Sequence, residues 1–94
     1  MAPEQLDDEE IEARLEELDD WDWIDDTIER EIEFESFMDA IEFINRIANH
    51  AEEADHHPEI FNVYNRIEIA LTTHDAGGLT DKDFDLAAKI DLEV

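Results

Sequence analysis

The chain has 94 residues, and its 30 acidic side chains outnumber the 6 lysines and arginines, which gives a formal net charge of −24. A chain of this length forms one domain, which we place over residues 1–94, and a hydrophobic content of 43% is enough for one modest core. So much negative charge excludes nucleic-acid binding through a basic face and argues against docking on anionic lipid.

The first third of the chain predicts a helix followed by a hairpin. Asp7 suits the N-cap position, and Glu10 completes a capping box three residues later. The helix is expected to end at Asp19-Asp20. The apolar residues that share its face are Ile11, Leu15 and Leu18. Over residues 21–34 apolar and polar residues alternate instead, which predicts two antiparallel strands with one wet face.

The second predicted helix has the clearest amphipathic pattern. Ser36 can cap it, and the helix is expected to break before Pro58, because proline forces the preceding residue into an extended conformation. We interpret its apolar stripe as the side that faces the core. The residues of this stripe are Phe37, Ala40, Ile41, Ile44, Ile47, Ala48 and Ala51.

The last third predicts a second hairpin and a third helix. Ile60–Val63 and Arg66–Thr73 read as strands that turn at Tyr64-Asn65. Thr80 suits the N-cap of the last helix, and Asp83 completes its capping box. The predicted order is helix, two strands, helix, two strands, helix, which indicates an α+β fold with an antiparallel sheet.

Three of the four histidines flank the second hairpin. His56 and His57 precede its first strand and His74 follows its second, and these two points lie at the same end of an antiparallel pair. We therefore expect the three imidazoles to lie close together, with Glu52 and Asp83 nearby. Histidine suits proton transfer because its unperturbed pKa is about 6.5, and two imidazoles can supply an acid and a base together.

Other interpretations of these residues stay open. Adjacent histidines also occur on surfaces by chance, and Asp83 has a structural role of its own in the capping box. A zinc site of three histidines is disfavoured, because two ligands adjacent in sequence converge on one ion with difficulty and no HExxH spacing is present. The absence of cysteine excludes disulfides and thiolate metal sites. The fourth histidine, His50, lies off the apolar stripe, so we expect it on the surface.

The spacing of these residues resembles a family signature. Intervals of three, five, nine and eight residues separate, in order, Glu52, His56-His57-Pro58, Tyr64, His74 and Asp83. This pattern, with the sequence around it from about residue 34 to residue 90, is similar to the pterin-4a-carbinolamine dehydratases. Ile60 departs from the family, because many members carry an aromatic residue there.

The resemblance implies a four-stranded antiparallel sheet with three helices on one face. It implies dehydration of a 4a-hydroxytetrahydropterin, such as 4a-hydroxytetrahydrobiopterin, to the quinonoid dihydropterin, with no metal and no organic cofactor. It also implies a homodimer or homotetramer. The active-site imidazoles would be His56, His57 and His74. The residues lining the pterin pocket would be His56, His57, Pro58, Thr73, His74, Asp75 and Ala76. The supporting carboxylates would be Glu52, Asp55 and Asp83.

Within that resemblance we expect His56 and His74 to share the acid and base roles, while His57 binds and orients the pterin. Two other roles stay open, namely a dimerisation module for another protein and an accessory factor in molybdopterin metabolism. The intact set of three histidines favours an enzyme, because a pure binding module would not need all of them.

The acidic residues are spread over the whole chain instead of forming a tail. Such charge pushes the compact state apart in dilute buffer, but at about 1 M salt the screening length falls to roughly 3 Å. We therefore expect a protein of a salt-rich, halophilic cytoplasm, since no apolar run in the first thirty residues suits a signal peptide or a membrane span. The alternative is an acidic protein of an ordinary cell with a basic partner.

The charge distribution predicts that stability depends on salt. The melting temperature should rise between low and molar KCl, because screening removes repulsion that the folded state suffers more than the unfolded chain. Thermal unfolding followed by circular dichroism over a KCl series measures this. A melting temperature that does not rise would contradict the halophilic interpretation.

Overall fold

The computed structural model describes residues 3–94 and confirms the predicted α+β order. The seven main elements follow the chain as α1 (Asp8–Leu15), β1 (Asp22–Ile24), β2 (Thr27–Glu33), α2 (Phe37–Ala54), β3 (Glu59–Val63), β4 (Arg66–Leu71) and α3 (Asp81–Leu92). A single 3₁₀ turn, His74–Ala76, lies between β4 and α3. Within residues 3–94, no helix has both the length and the apolar character needed to cross a membrane.

The helix starts follow the predicted caps. Asp7 and Glu10 form a capping box at α1, and the side chain of Ser36 accepts a hydrogen bond at the start of α2. The end of α1 was predicted too late, because the α-helix stops at Leu15 and not at Asp19-Asp20. The next turn tightens, with the amide of Leu18 bonded to the carbonyl of Leu15, and this tighter turn accompanies the burial of Leu18 in the core.

The four strands form one antiparallel sheet in the order β1-β2-β4-β3. The central pair is β2 and β4, in which Ile28 lies opposite Leu71 and Ile32 opposite Ile67. These four side chains are buried under the helices, whereas the alternate residues, such as Glu31, stay exposed on the other face. The predicted alternation of buried and wet faces is therefore confirmed.

The apolar stripe of α2 was only partly assigned correctly. The helix buries Ala40, Phe43, Ile47 and Ala51 against the core, and Phe43 was not part of the predicted stripe. The other residues of the predicted stripe form a second row that is more exposed to solvent. In this row Phe37 and Ala48 are exposed and Ile41 and Ile44 are half-buried. The two rows lie side by side on the helix, so the period alone could not separate them. We call the second row, Phe37, Ile41, Ile44 and Ala48, the outer stripe.

The second hairpin positions both histidine segments. β3 and β4 pair in a register that sets Glu59 opposite Ala70 and Val63 opposite Arg66. The turn between them falls at Tyr64-Asn65, as predicted, and Tyr64 takes a positive φ of 52° there. Continued past the strand ends, the same register sets His56 opposite Thr73.

Candidate active site

The end of α2 delivers two histidines to the start of β3. Asp55 adopts a left-handed conformation with φ 49° and ψ 43°, which turns the chain away from the helix. The amide of His56 then donates to the carbonyl of Ala51, five residues earlier, which is a hydrogen bond typical of this kind of helix end. His56 and His57 therefore leave the helix in a fixed direction, and Asp55 contributes its backbone conformation to this turn.

His56 is paired with a carboxylate in the protein interior. Its side chain is only 10% exposed, and Nε2 lies 2.5 Å from Oδ1 of Asp83, whose side chain is fully buried. The second oxygen of Asp83 accepts the backbone N–H of Thr80 at 2.9 Å and the hydroxyl of Thr73 at 2.8 Å. Oδ2 of Asp83 thus completes the predicted capping box, while Oδ1 is bound to His56.

His57 lies in a different environment. Its side chain is 60% exposed, and Nε2 is hydrogen-bonded to a carboxylate oxygen of Glu52, which is itself exposed. The sequence places Glu52 one helical turn before His56, but the structure pairs it with the next residue. A solvated contact of this kind constrains the ring weakly, because water competes for both partners.

His74 opens the short loop after β4. The base of this loop is closed by Thr73 and Gly78, whose backbones exchange hydrogen bonds of 3.1 and 3.3 Å. Inside it the amide of Gly77, at φ 74°, returns to the carbonyl of His74. His74 is exposed, so its imidazole sits on a well-defined loop at the protein surface.

The two histidine segments meet at one end of the second hairpin, as expected from the antiparallel pairing. His56 and Thr73 are bound to the two oxygens of the same carboxylate, and His74 directly follows Thr73. No hydrogen bond joins two imidazoles within residues 3–94. The arrangement offers one buried ring and two open ones.

The remaining predicted site residues show mixed exposure. Asp55 and Asp75 are exposed, and Pro58 and Ala76 are half-buried. The part of the chain that the structure describes contains no group of three histidines or carboxylates arranged to hold a metal ion.

His50 is more enclosed than expected. It is half-buried, and its Nε2 lies 2.7 Å from a carboxylate oxygen of Glu93, which also pairs with Arg46. The interaction joins α2 to the C-terminal end of α3, so it belongs to the packing of two helices. Sequence periodicity gives no signal for it, because the two residues are 43 positions apart.

Two grooves on the surface lie away from the histidines. One of about 470 Å³ crosses the open face of the sheet near Glu31, Phe61 and Glu68, and another of about 620 Å³ lies beside Phe34 and Val94. Neither is lined by a histidine. We assign the candidate site by its histidines, because imidazole is the side chain best suited to proton transfer near neutral pH and neither groove contains one.

Comparison with known proteins agrees with this geometry. The family model described as pterin 4 alpha carbinolamine dehydratase matches residues 4–92. The chain belongs to that family. Its sequence is 52% identical over 87 residues to a protein of Acidobacterium capsulatum that carries the provisional name pterin-4-alpha-carbinolamine dehydratase. A Picosynechococcus protein with the same provisional name is 49% identical, and in both cases the match covers 93% of this chain and 95% of the relative.

Solved structures extend the comparison to the fold of the family. A Brucella melitensis protein described as a transcriptional coactivator/pterin dehydratase superposes with a TM-score of 0.91 at 37% identity, covering 95% of this chain and 97% of that one. A pterin dehydratase-like protein described as a RuBisCO assembly factor in the alpha-carboxysome superposes with a TM-score of 0.67 at 20% identity. The second likeness concerns the fold alone.

The two carboxylates of the site should differ sharply in their effect on stability. Asp83→Ala should cost more than about 2 kcal/mol, because it leaves three buried donors without an acceptor. Glu52→Ala should cost less than about 1 kcal/mol, since it removes a solvated pair. Urea unfolding of both variants at one KCl concentration measures the difference. Equal, small losses would show that Asp83 does not organise the site.

Proposed function

We propose that this chain dehydrates a 4a-hydroxytetrahydropterin to the quinonoid dihydropterin. The observation that supports this most directly is His56, a nearly buried imidazole fixed by the carboxylate of Asp83, at the same end of the hairpin as His57 and His74. Family membership supplies the class of substrate, and the histidines supply groups suited to the reaction.

The reaction needs two proton transfers. The C4a–O bond breaks with its electron pair on oxygen, a donor protonates that oxygen, and water leaves. The N5–H proton passes to an acceptor, and the electron pair of that bond forms the C4a=N5 double bond. The net change is loss of one water, with no oxidation or reduction. Positioned acids and bases contribute roughly 10²–10⁴-fold each to such steps.

The histidines differ in how well they are positioned for these transfers. His56 is fixed by the buried Asp83 and His74 lies on a hydrogen-bonded loop, so we assign them the acid and base roles as a pair. His57 is largely exposed to solvent beside Glu52, which suits binding and orientation of the pterin from the open side. The surrounding residues Pro58, Asp75 and Ala76 are proposed to line the ligand.

This assignment predicts a selective loss of turnover. His56→Ala and His74→Ala should each lower kcat by about 10²-fold or more while changing KM much less, since both act on the reacting atoms. His50→Ala is the matched control, because it removes a histidine that pairs with Glu93 in helix packing. The measurement is loss of the ultraviolet signal of freshly generated 4a-carbinolamine in molar KCl. Wild-type turnover in both site variants would refute the assignment.

A binding module is the second candidate function, since the solved relative from Brucella melitensis is described as a coactivator as well as a dehydratase. The exposed outer stripe of α2 gives such a role a surface. The same turnover assay separates the two functions. A wild-type chain that forms a stable complex with a larger protein and shows no turnover would favour the binding module.

We further propose that copies of this chain associate into a dimer or tetramer. Two apolar surfaces support this: the outer stripe of α2, where Phe37 is 45% exposed, and β3, an edge strand on which Phe61 is 56% exposed. The outer stripe repeats at steps of four, three and four residues, the spacing at which helices pack side by side. Unpaired edge strands also tend to pair or to be covered.

Association predicts a mass change on charge insertion. At least one of the single variants Phe37→Glu and Phe61→Glu should lower the mass measured by sedimentation in molar KCl. The reason is that a carboxylate is costly to bury in an apolar contact. Glu53→Gln, an exposed position on α2, should leave the mass unchanged. A monomeric wild-type chain would contradict the proposal.

A further inference from the structure

We propose that Thr73 is a positioning residue whose hydroxyl orients His56 through Asp83. The family resemblance puts Thr73 in the lining of the pterin pocket, but the structure turns its hydroxyl inward. Thr73 is 5% exposed, and its Oγ1 is bound to Asp83 and to Thr80, both of which are fully buried. The inference rests on the proposed function for its kinetic consequences and on geometry alone for its structural ones.

The hydrogen bonds around Thr73 have one consistent direction. Oγ1 of Thr80 accepts the backbone N–H of Lys82 at 3.2 Å, which leaves its hydroxyl hydrogen to donate to Oγ1 of Thr73 at 2.8 Å. The hydroxyl of Thr73 then donates to Oδ2 of Asp83, also at 2.8 Å. The hydroxyls of Thr73 and Thr80 each donate once within this series of hydrogen bonds, so neither has a hydrogen left to donate to a ligand.

The direction of these bonds fixes the tautomer of His56. Oδ2 of Asp83 already accepts from Thr73 and from the backbone of Thr80. A carboxylate offers only acceptors, so Nε2 of His56 is the donor to Oδ1. The hydroxyl of Thr73 keeps the carboxylate from rotating, and thereby holds the plane of the imidazole.

The other ring nitrogen is the one offered to a ligand. Nδ1 of His56 makes no hydrogen bond within residues 3–94. In the same range, the only fully buried side-chain nitrogen or oxygen without a partner is Nε of Arg30. Nδ1 is therefore not fully buried, and its direction is fixed by the bond that Nε2 makes on the opposite side of the ring.

Thr73 also links His56 to the loop of His74. Its backbone closes that loop with Gly78, while its side chain holds Asp83. One residue therefore sets the position of both histidines to which we assign proton transfer. A disturbance of its hydroxyl is expected to affect the step that needs both rings more than the binding of the ligand.

The test compares three variants of the full chain in molar KCl. Thr73→Val removes the hydroxyl at nearly constant shape, Thr73→Ser restores it, and Thr72→Val makes the same change one residue away, where the hydroxyl bonds to the carbonyl of Asp26. The readouts are kcat and KM for the 4a-carbinolamine, the proton resonance of His56 Nε2–H, and the melting temperature.

Thr73→Val should lower kcat by about tenfold or more with KM changed less than about twofold, because loss of orientation acts on the reacting geometry. Its Nε2–H resonance should broaden or move upfield. Thr73→Ser should restore kcat to within about threefold of the wild-type value and should restore the resonance of His56 Nε2–H. Thr72→Val should match the wild type in both readouts. A purely structural role would lower the melting temperature without this pattern.

Several results would overturn the proposal. An unchanged kcat and resonance in Thr73→Val would do so, and a raised KM with unchanged kcat would make Thr73 a ligand contact instead. If Thr73→Val does not fold, the nitrogen chemical shifts of the His56 ring in the wild-type chain test the proposal instead. A tautomer with the hydrogen on Nδ1 would exclude the arrangement. A wild-type chain without turnover refutes the proposed function, while the resonance of His56 in the variants still tests the positioning.

Discussion

The site depends on a single buried carboxylate that the fold must satisfy. Asp83 is fully buried, and three donors reach it from three parts of the chain: the segment after α2, the second residue after β4 and the cap of α3. An ionised carboxylate without these partners would cost several kcal/mol in the interior. Stability and site geometry are consequently coupled, because the contacts that satisfy Asp83 are the same contacts that orient His56.

The three histidines of the candidate site lie in different environments. His56 is enclosed and fixed, whereas His57 is solvated beside Glu52 and His74 stands on a closed loop. Rings of one chemical type thus differ in their hydrogen-bond partners and in access to water. For a reaction that removes water from a flat bicyclic molecule, one rigid group beside more adaptable ones can both set the reacting geometry and admit the ligand from solvent.

Local signals predicted most of the fold and the main members of the site. The caps at Asp7, Ser36 and Thr80 are set by side chains within three residues of the amides they bind, so the sequence is enough to find them. The hydroxyl of Thr73 could not be assigned in this way, since its acceptor lies ten residues away across a loop. The stripe of α2 was partly misassigned because two adjacent apolar rows of a helix share one period, and only packing decides which of them meets the sheet. The spacing of the histidines indicated the candidate site, but their burial depends on tertiary contacts.

The most direct measurement is a titration of the chain with 7,8-dihydrobiopterin, a stable reduced pterin, followed through the imidazole nitrogen resonances of all four histidines in molar KCl. The account predicts that Nδ1 of His56 and the rings of His57 and His74 shift together with one saturation curve, while His50 does not respond. Imidazole resonances that stay unchanged at all three site histidines throughout the titration would contradict it.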